Sequence, residues 1–334
     1  MRRYLYTLFH PEIFQGYYRK PPYFEGWYFK FVSANHQRRL AVIPGLFLAE
    51  DATHSHAFVQ VLDGVSGDSA YYTFPADAFS ADAERFHVCV GDNLFSSDCI
   101  RLNLSGGSIE IQGEIHFGKF NPWPVTLTSP GIMGWYAWVP VMECYHGVVS
   151  LDHTLDGQLT VNGESIDFGG GRGYIEKDWG RNFPTGYVWQ QSNHFETPGT
   201  SLTASIAMIP LFGRTFAGFI VGVWHHGLLY RFATYTGAVT EHLTVDDHRV
   251  HWVIRDSRYR LEMISERQSG GLLHAPIRTE MHKRVSETMR ASVRTRLIRH
   301  DGTIILDDTG ECAALEVHGE LAGLVTAAVT VSAP

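Results

Sequence analysis

The chain has 334 residues, a formal charge of −8 and 44% hydrophobic residues. That length supports a large core and favours two domains over one. The acidic balance excludes a basic nucleic-acid surface. Four scattered cysteines, Cys89, Cys99, Cys144 and Cys312, have no CxxC or zinc spacing. They read as free thiols of a reducing cytosol, although Cys89 and Cys99 are placed to face each other across a hairpin.

The opening MRRYLYTLFH is aromatic and predicts a short helix or arm up to Tyr18, stopped by Pro21-Pro22. Its apolar run is interrupted by His10, Pro11 and Glu12, unlike a secretory leader, and no stretch has the length of a membrane span. The expected location is cytoplasmic, with membrane-peripheral contact as an option. Helical periodicity is scarce. Short alternating or aromatic runs between Gly, Asp and Asn turns predict an all-β protein. In PYFEGWYFKF, Tyr23, Glu25, Trp27, Phe29 and Phe31 share one strand face. An acid among rings fits a cavity lining. The alternative is a first barrel strand whose Trp27 plugs one end.

Arg39 to Leu48 predicts a buried strand with a bulge at Pro44-Gly45. His54 and His56 point the same way but have no third ligand at a recognisable spacing, so no metal is expected. The strand series then runs on to Phe117. Residues 118–140 break that rhythm with Pro, Gly, Trp123, Trp135 and Trp138. Three readings stay open for them: a lid over a pocket mouth, a membrane-touching surface, or a packed Ω-loop between domains. Met142 to His153 predicts a long strand with Glu143 and Tyr145 on one face and His146 on the other. His146 titrates near neutrality and is the best histidine for acid or base work.

Arg172 to Phe195 is the densest stretch. Read as two strands around a Gly-Arg-Asn-Phe-Pro turn, it puts Tyr174, Glu176 and Asp178 on one face of the first. Trp189, Gln191, Asn193 and Phe195 share one face of the second. If both faces point inward, carboxylates sit among rings, where their pKa values rise. The plainer alternative pairs Glu176 with Lys177 or Arg172 at a surface. GGGRG at 169–173 precedes a strand and lacks GK[ST], so it is no phosphate loop. The second half repeats the strand style, with an irregular basic connection at His274 to Arg284 and a loose tail from Leu324. Two halves of similar strand count point to two barrels, at 22–180 and 181–326.

The runs PYFEGWYFK, MECYHGVVSLDH, GYIEKDWGRNFP, WQQSNHF and DDTGECAALEVHGE resemble the tocopherol cyclase-like family over nearly the whole chain. The spacing EKDWG…FP…W-x-Q-x-N-x-F is the most specific part. The resemblance implies two lipocalin-like antiparallel β-barrels side by side. It implies a fold group that includes carotenoid hydratases and pericyclase-type enzymes, and plant members that close the chromanol ring of a prenylated hydroquinol. Fold likeness alone does not fix the reaction.

Chemistry that uses these residues is proton-initiated ring closure, a cofactor-independent isomerisation. Asp178 or Glu176 is the expected acid, with Trp189, Trp27 and Tyr174 shielding the cation. Gln191, Asn193 and His146 hold the head group, Tyr145 and Phe195 line the site, and Glu25 or Glu143 takes the phenol proton. Neither metal nor cofactor is required. The expected partner is a small hydrophobic isoprenoid or quinol, with membrane contact through 118–140. A non-catalytic lipid carrier and a terpenoid hydratase or isomerase are the competing readings. The junction of the two barrels is the expected place for the pocket.

Overall fold

The computed structural model describes residues 2–211 and 213–325; most of the expected loose tail, 326–334, lies outside the described residues. The chain divides into two compact units. The first holds the residues up to Phe183 together with Gly271–Arg284, and the second holds Pro184–Gly270 and the chain from Val285 onward. The described residues form two antiparallel sheets, one of twelve strands that all lie in the first unit and one of ten that lie mostly in the second. This is the expected all-β, lipocalin-like architecture.

In the first sheet the middle strand is Arg172–Gly180. It lies between Tyr23–Val32 and Cys144–Val161, so distant parts of the chain meet there. Pairing places Asp178 opposite Gly26 and His146, and Lys177 opposite Trp27 and Gly147. Period two then gives these three strands two distinct faces. On one, Trp27, Phe29 and Phe31 are fully buried, with Phe86, Phe95 and Phe117 ringing Phe29 at about 6 Å. That is the aromatic core of the first unit. The other face carries Tyr174, Glu176, Asp178 and His146. The strand's last position, Gly180, requires glycine, because a Cβ there would sit 2.1 Å from the Glu143 carbonyl oxygen. In the second unit the core gathers Leu202, Ile206, Val221, Val223, Trp252 and Leu261.

Three local expectations are corrected. Arg39–Leu48 pairs with Tyr23–Val32 without a register shift, so there is no bulge between them at Pro44-Gly45. Gly45 serves close approach instead: a Cβ would meet the Phe58 ring at 2.4 Å and the Glu25 carbonyl at 2.6 Å. The segment after Gly270 is no irregular connection, because Gly271–Pro276 is a strand paired to Met281–Arg299. Leu273 and Ala275 are buried there while Leu272 is exposed, an alternation too short to stand out beside Pro276. Ile304 to Asp307 and Cys312 to His318, which read as separate strands, are one strand, Ile304–Gly319, which runs through Asp308-Thr309-Gly310 in unbroken register, with shifts on either side of that stretch.

Candidate functional site

The acidic face of the first unit's central strand closes around one imidazole. His146 Nδ1 donates to Asp178 Oδ1 at 2.8 Å, and Nε2 lies 3.5 Å from Glu176 Oε2. Tyr174, fully buried, donates its hydroxyl to Glu176 Oε2 at 2.5 Å. Burial alone pushes the His146 pKa down, but the Glu176 and Asp178 charges outweigh it and raise it to about 9. The imidazole is therefore a cation at neutral pH, and its Nε2 makes no hydrogen bond to the described residues. One ligand-type atom from each of the three side chains lies within 4.8 Å of the others, a spacing that could hold a metal ion. A second cluster with this donor spacing, Cys99, Glu114 and His116, has its Glu114 tied to Arg101 at 2.7 Å.

A cavity of about 350 Å³ lies beside the strand end that carries His146. Tyr145, His146 and Trp179 all border it, but the Tyr145 and Trp179 rings, stacked at 5.5 Å and 9°, lie on the Glu25 face of the sheet and the His146 ring on the other. One wall is the N-terminal helix Arg2–Phe9 and the segment that follows it; the other is Pro130, Met133 and Ala137. The oily 118–140 segment thus covers a pocket, as one of its three readings had it. Tyr145 anchors it by donating to the Val139 carbonyl at 2.6 Å, and Phe9 packs edge-on against Trp138.

The N-terminal wall is pinned from the barrel interior. Glu25 and Lys177 form a fully buried ion pair, with Tyr23 also donating to Glu25. Lys177 Nζ reaches the Ile13 carbonyl at 2.6 Å, Trp27 Nε1 the Glu12 carbonyl at 2.9 Å, and the Gln15 amide the Glu25 carboxylate at 2.9 Å. Lys177 Nζ also lies over the rings of Trp27, at 4.5 Å, and Trp179, at 4.8 Å. Burial lowers the Lys177 pKa, and the Glu25 charge opposes that shift.

The candidate residues therefore fall into separate places. Asp178, Glu176, His146 and Tyr174 converge. Tyr145 lines the cavity from the strand face opposite the His146 ring. Glu25 and Trp27 lie on the opposite face of the same strands, and their polar atoms hold the N-terminal segment. Glu143 pairs with Arg278 at 2.6 Å, half-buried and away from the cavity lining. Trp189, Gln191, Asn193 and Phe195 are buried in the second unit, where Phe195 joins the core. The surface alternative fails for both acids' neighbours: Lys177 pairs with Glu25 and Arg172 with Asp152. Sequence reasoning missed Trp179, Arg3, Tyr17 and Met133 as cavity residues. The Arg-Arg-aromatic opening and the oily segment were the available signals, but nothing in them shows that they meet.

Comparison with known proteins gives the same assignment from a different direction. The profile of the family described as tocopherol cyclase-like matches residues 110–319. Over 208 residues the chain is 27% identical to a probable chloroplastic tocopherol cyclase of Oryza sativa subsp. japonica, covering 58% of this chain and 44% of that protein. Over 205 residues it is 28% identical to the chloroplastic tocopherol cyclase of Zea mays, covering 56% and 41%. The match thus spans less than half the length of either relative. Among solved structures, CghA with Sch210972 superposes with a TM-score of 0.58 at 11% identity, covering 90% of this chain and 89% of that one. A candidate AttH of Nitrosomonas europaea gives 0.50 at 12%, covering 89% and 92%. Those likenesses speak for the fold. The strand pair that carries His146, Glu176 and Asp178 lies inside the matched residues, and the chain belongs to the tocopherol cyclase-like family.

Proposed function

We propose that this protein is a cofactor-independent isomerase that closes a ring on a prenylated hydroquinol or related isoprenoid. The supporting observation is a histidine charged at neutral pH, held between two carboxylates beside the buried Tyr174 on one face of the central strands. The imidazolium Nε2 gives its proton to the less substituted carbon of a prenyl double bond. The tertiary cation that forms is stabilised by the Glu176 and Asp178 carboxylates and by the Tyr174 ring, which share the His146 face of the strands. The phenol oxygen then bonds to the cationic carbon, and the phenol proton recharges the imidazole. One C–H and one C–O bond form, one O–H bond and one π bond are lost, and no proton is consumed. Asp178 and Glu176 act as positioning residues through their hold on the ring.

Substrate arrival fits the same architecture. Tyr18, Leu127, Trp135 and Val141 are apolar or aromatic side chains left exposed on the segments around the cavity. We infer that they rest on a lipid surface from which an isoprenoid enters.

Incubation with a prenylated hydroquinol in deuterated water tests the reaction. Expected is a chromanol with one solvent deuterium on the former alkene carbon, lost in His146→Gln. Oxygen from labelled water in the product would instead mark hydration. Retention of an unaltered isoprenoid, indifferent to His146→Gln, would make the protein a carrier.

A further inference from the structure

The cavity's lining has a charge that the proposed reaction does not use. Arg3 and Arg19 both line it, together with His146, and no carboxylate does, in a chain whose overall charge is −8. Arg3 is set in place by its neighbour: its guanidinium lies 3.5 Å from the centre of the Tyr17 ring, and the Tyr17 hydroxyl is itself tied to the Ala81 carbonyl at 2.5 Å. Yet Arg3 Nε and Nη2 are buried and meet no hydrogen-bond partner among the described residues. A buried guanidinium with unmade hydrogen bonds is costly unless an anion completes it, and its planar fork suits a carboxylate or phosphate.

We propose that the cavity binds an amphipathic ligand with an anionic head, clamped by Arg3 and drawn in by Arg19, with its apolar unsaturated tail toward Met133, Trp179 and His146. This rests on the cavity being the substrate site and narrows the substrate class: a prenyl compound bearing a carboxylate or phosphate, in preference to a neutral quinol. Stacking on Tyr17 keeps the fork oriented, so little side-chain freedom is lost on binding.

Isothermal titration of the full chain with farnesoic acid, farnesyl phosphate and farnesol tests this without any turnover. The three share one tail and differ at the head. Expected is binding of at least one anion about tenfold or more tighter than farnesol, as a charge-assisted fork requires. The tighter of the two anions names the head. In Arg3→Gln the preference collapses while farnesol affinity holds. Arg3→Lys keeps the charge without the fork and falls between, which covers the case in which Arg3→Gln disturbs the helix. Equal affinity for the three probes, saturable binding of none, or a preference that survives Arg3→Gln would overturn the assignment. Anion-selective binding in a protein that cyclises no prenylated quinol would remove the proposed reaction and leave this site standing.

Discussion

At the scale of the residue, His146 carries two consequences that one substitution reads. Its pKa stands at about 9 because two carboxylates outweigh burial. A histidine whose folded pKa lies above its unfolded value stabilises the fold fully below pH 6.5 and loses that contribution as pH rises through about 9. The gap corresponds to about 3 kcal/mol across that window. Asp178→Asn removes the partner of Nδ1. The His146 pKa should then fall back toward 6.5 in an NMR titration of the ring, and the stability slope between neutrality and pH 9 should flatten. Turnover at neutral pH should drop by roughly 10²–10⁴-fold, the range that a positioned acid supplies. An unchanged ring pKa in that variant would show that Asp178 does not hold the proton on His146.

At the scale of the element, the three central strands put opposite chemistry on their two faces. Alternation within one strand was legible: Tyr174, Glu176 and Asp178 do share a side, as Tyr23, Glu25 and Trp27 do. Pairing between strands was not. His146 meets Asp178 across thirty-two positions of chain, and Lys177 meets Glu25 across 152. Register of that kind is fixed by long-range packing, which a local pattern does not contain. The same period explains why Glu176 does not pair with Lys177: adjacent strand residues point to opposite faces. The buried Glu25–Lys177 pair yields a sharp prediction. Removing one partner strands a charge in the aromatic core, so Glu25→Gln or Lys177→Met should each cost about 3–5 kcal/mol in denaturant unfolding. The double variant Glu25→Leu with Lys177→Met should recover most of that loss. The same single variants lose an anchor of the segment at Ile13 and Gln15, and limited proteolysis should cut there first. Additive losses in the double variant would mean that the pair is not a coupled unit.

At the scale of the whole molecule, fold class and family were written in the sequence, whereas the pocket was not. Its walls come from a short helix, a proline-rich segment and two strand ends, and no periodic signal joins those pieces. Their outer surfaces bear on how the proposed isoprenoid substrate would arrive. Leu127 is 72% exposed and Trp135 48%, and no helix among the described residues is long and apolar enough to cross a membrane. Side chains of that size left in water would be stabilised by a lipid interface, where tryptophan sits readily. Transfer of most of their exposed area is worth about 2 kcal/mol, roughly a 30-fold change in partition. Leu127→Ser with Trp135→Ser should therefore weaken co-sedimentation with phosphatidylcholine vesicles by about that factor while leaving the fold intact. Turnover of substrate dissolved in detergent should be unchanged, and turnover of substrate embedded in vesicles should fall with binding. Equal sedimentation of the variant and the parent would detach the 118–140 segment from any lipid surface and confine it to covering the cavity.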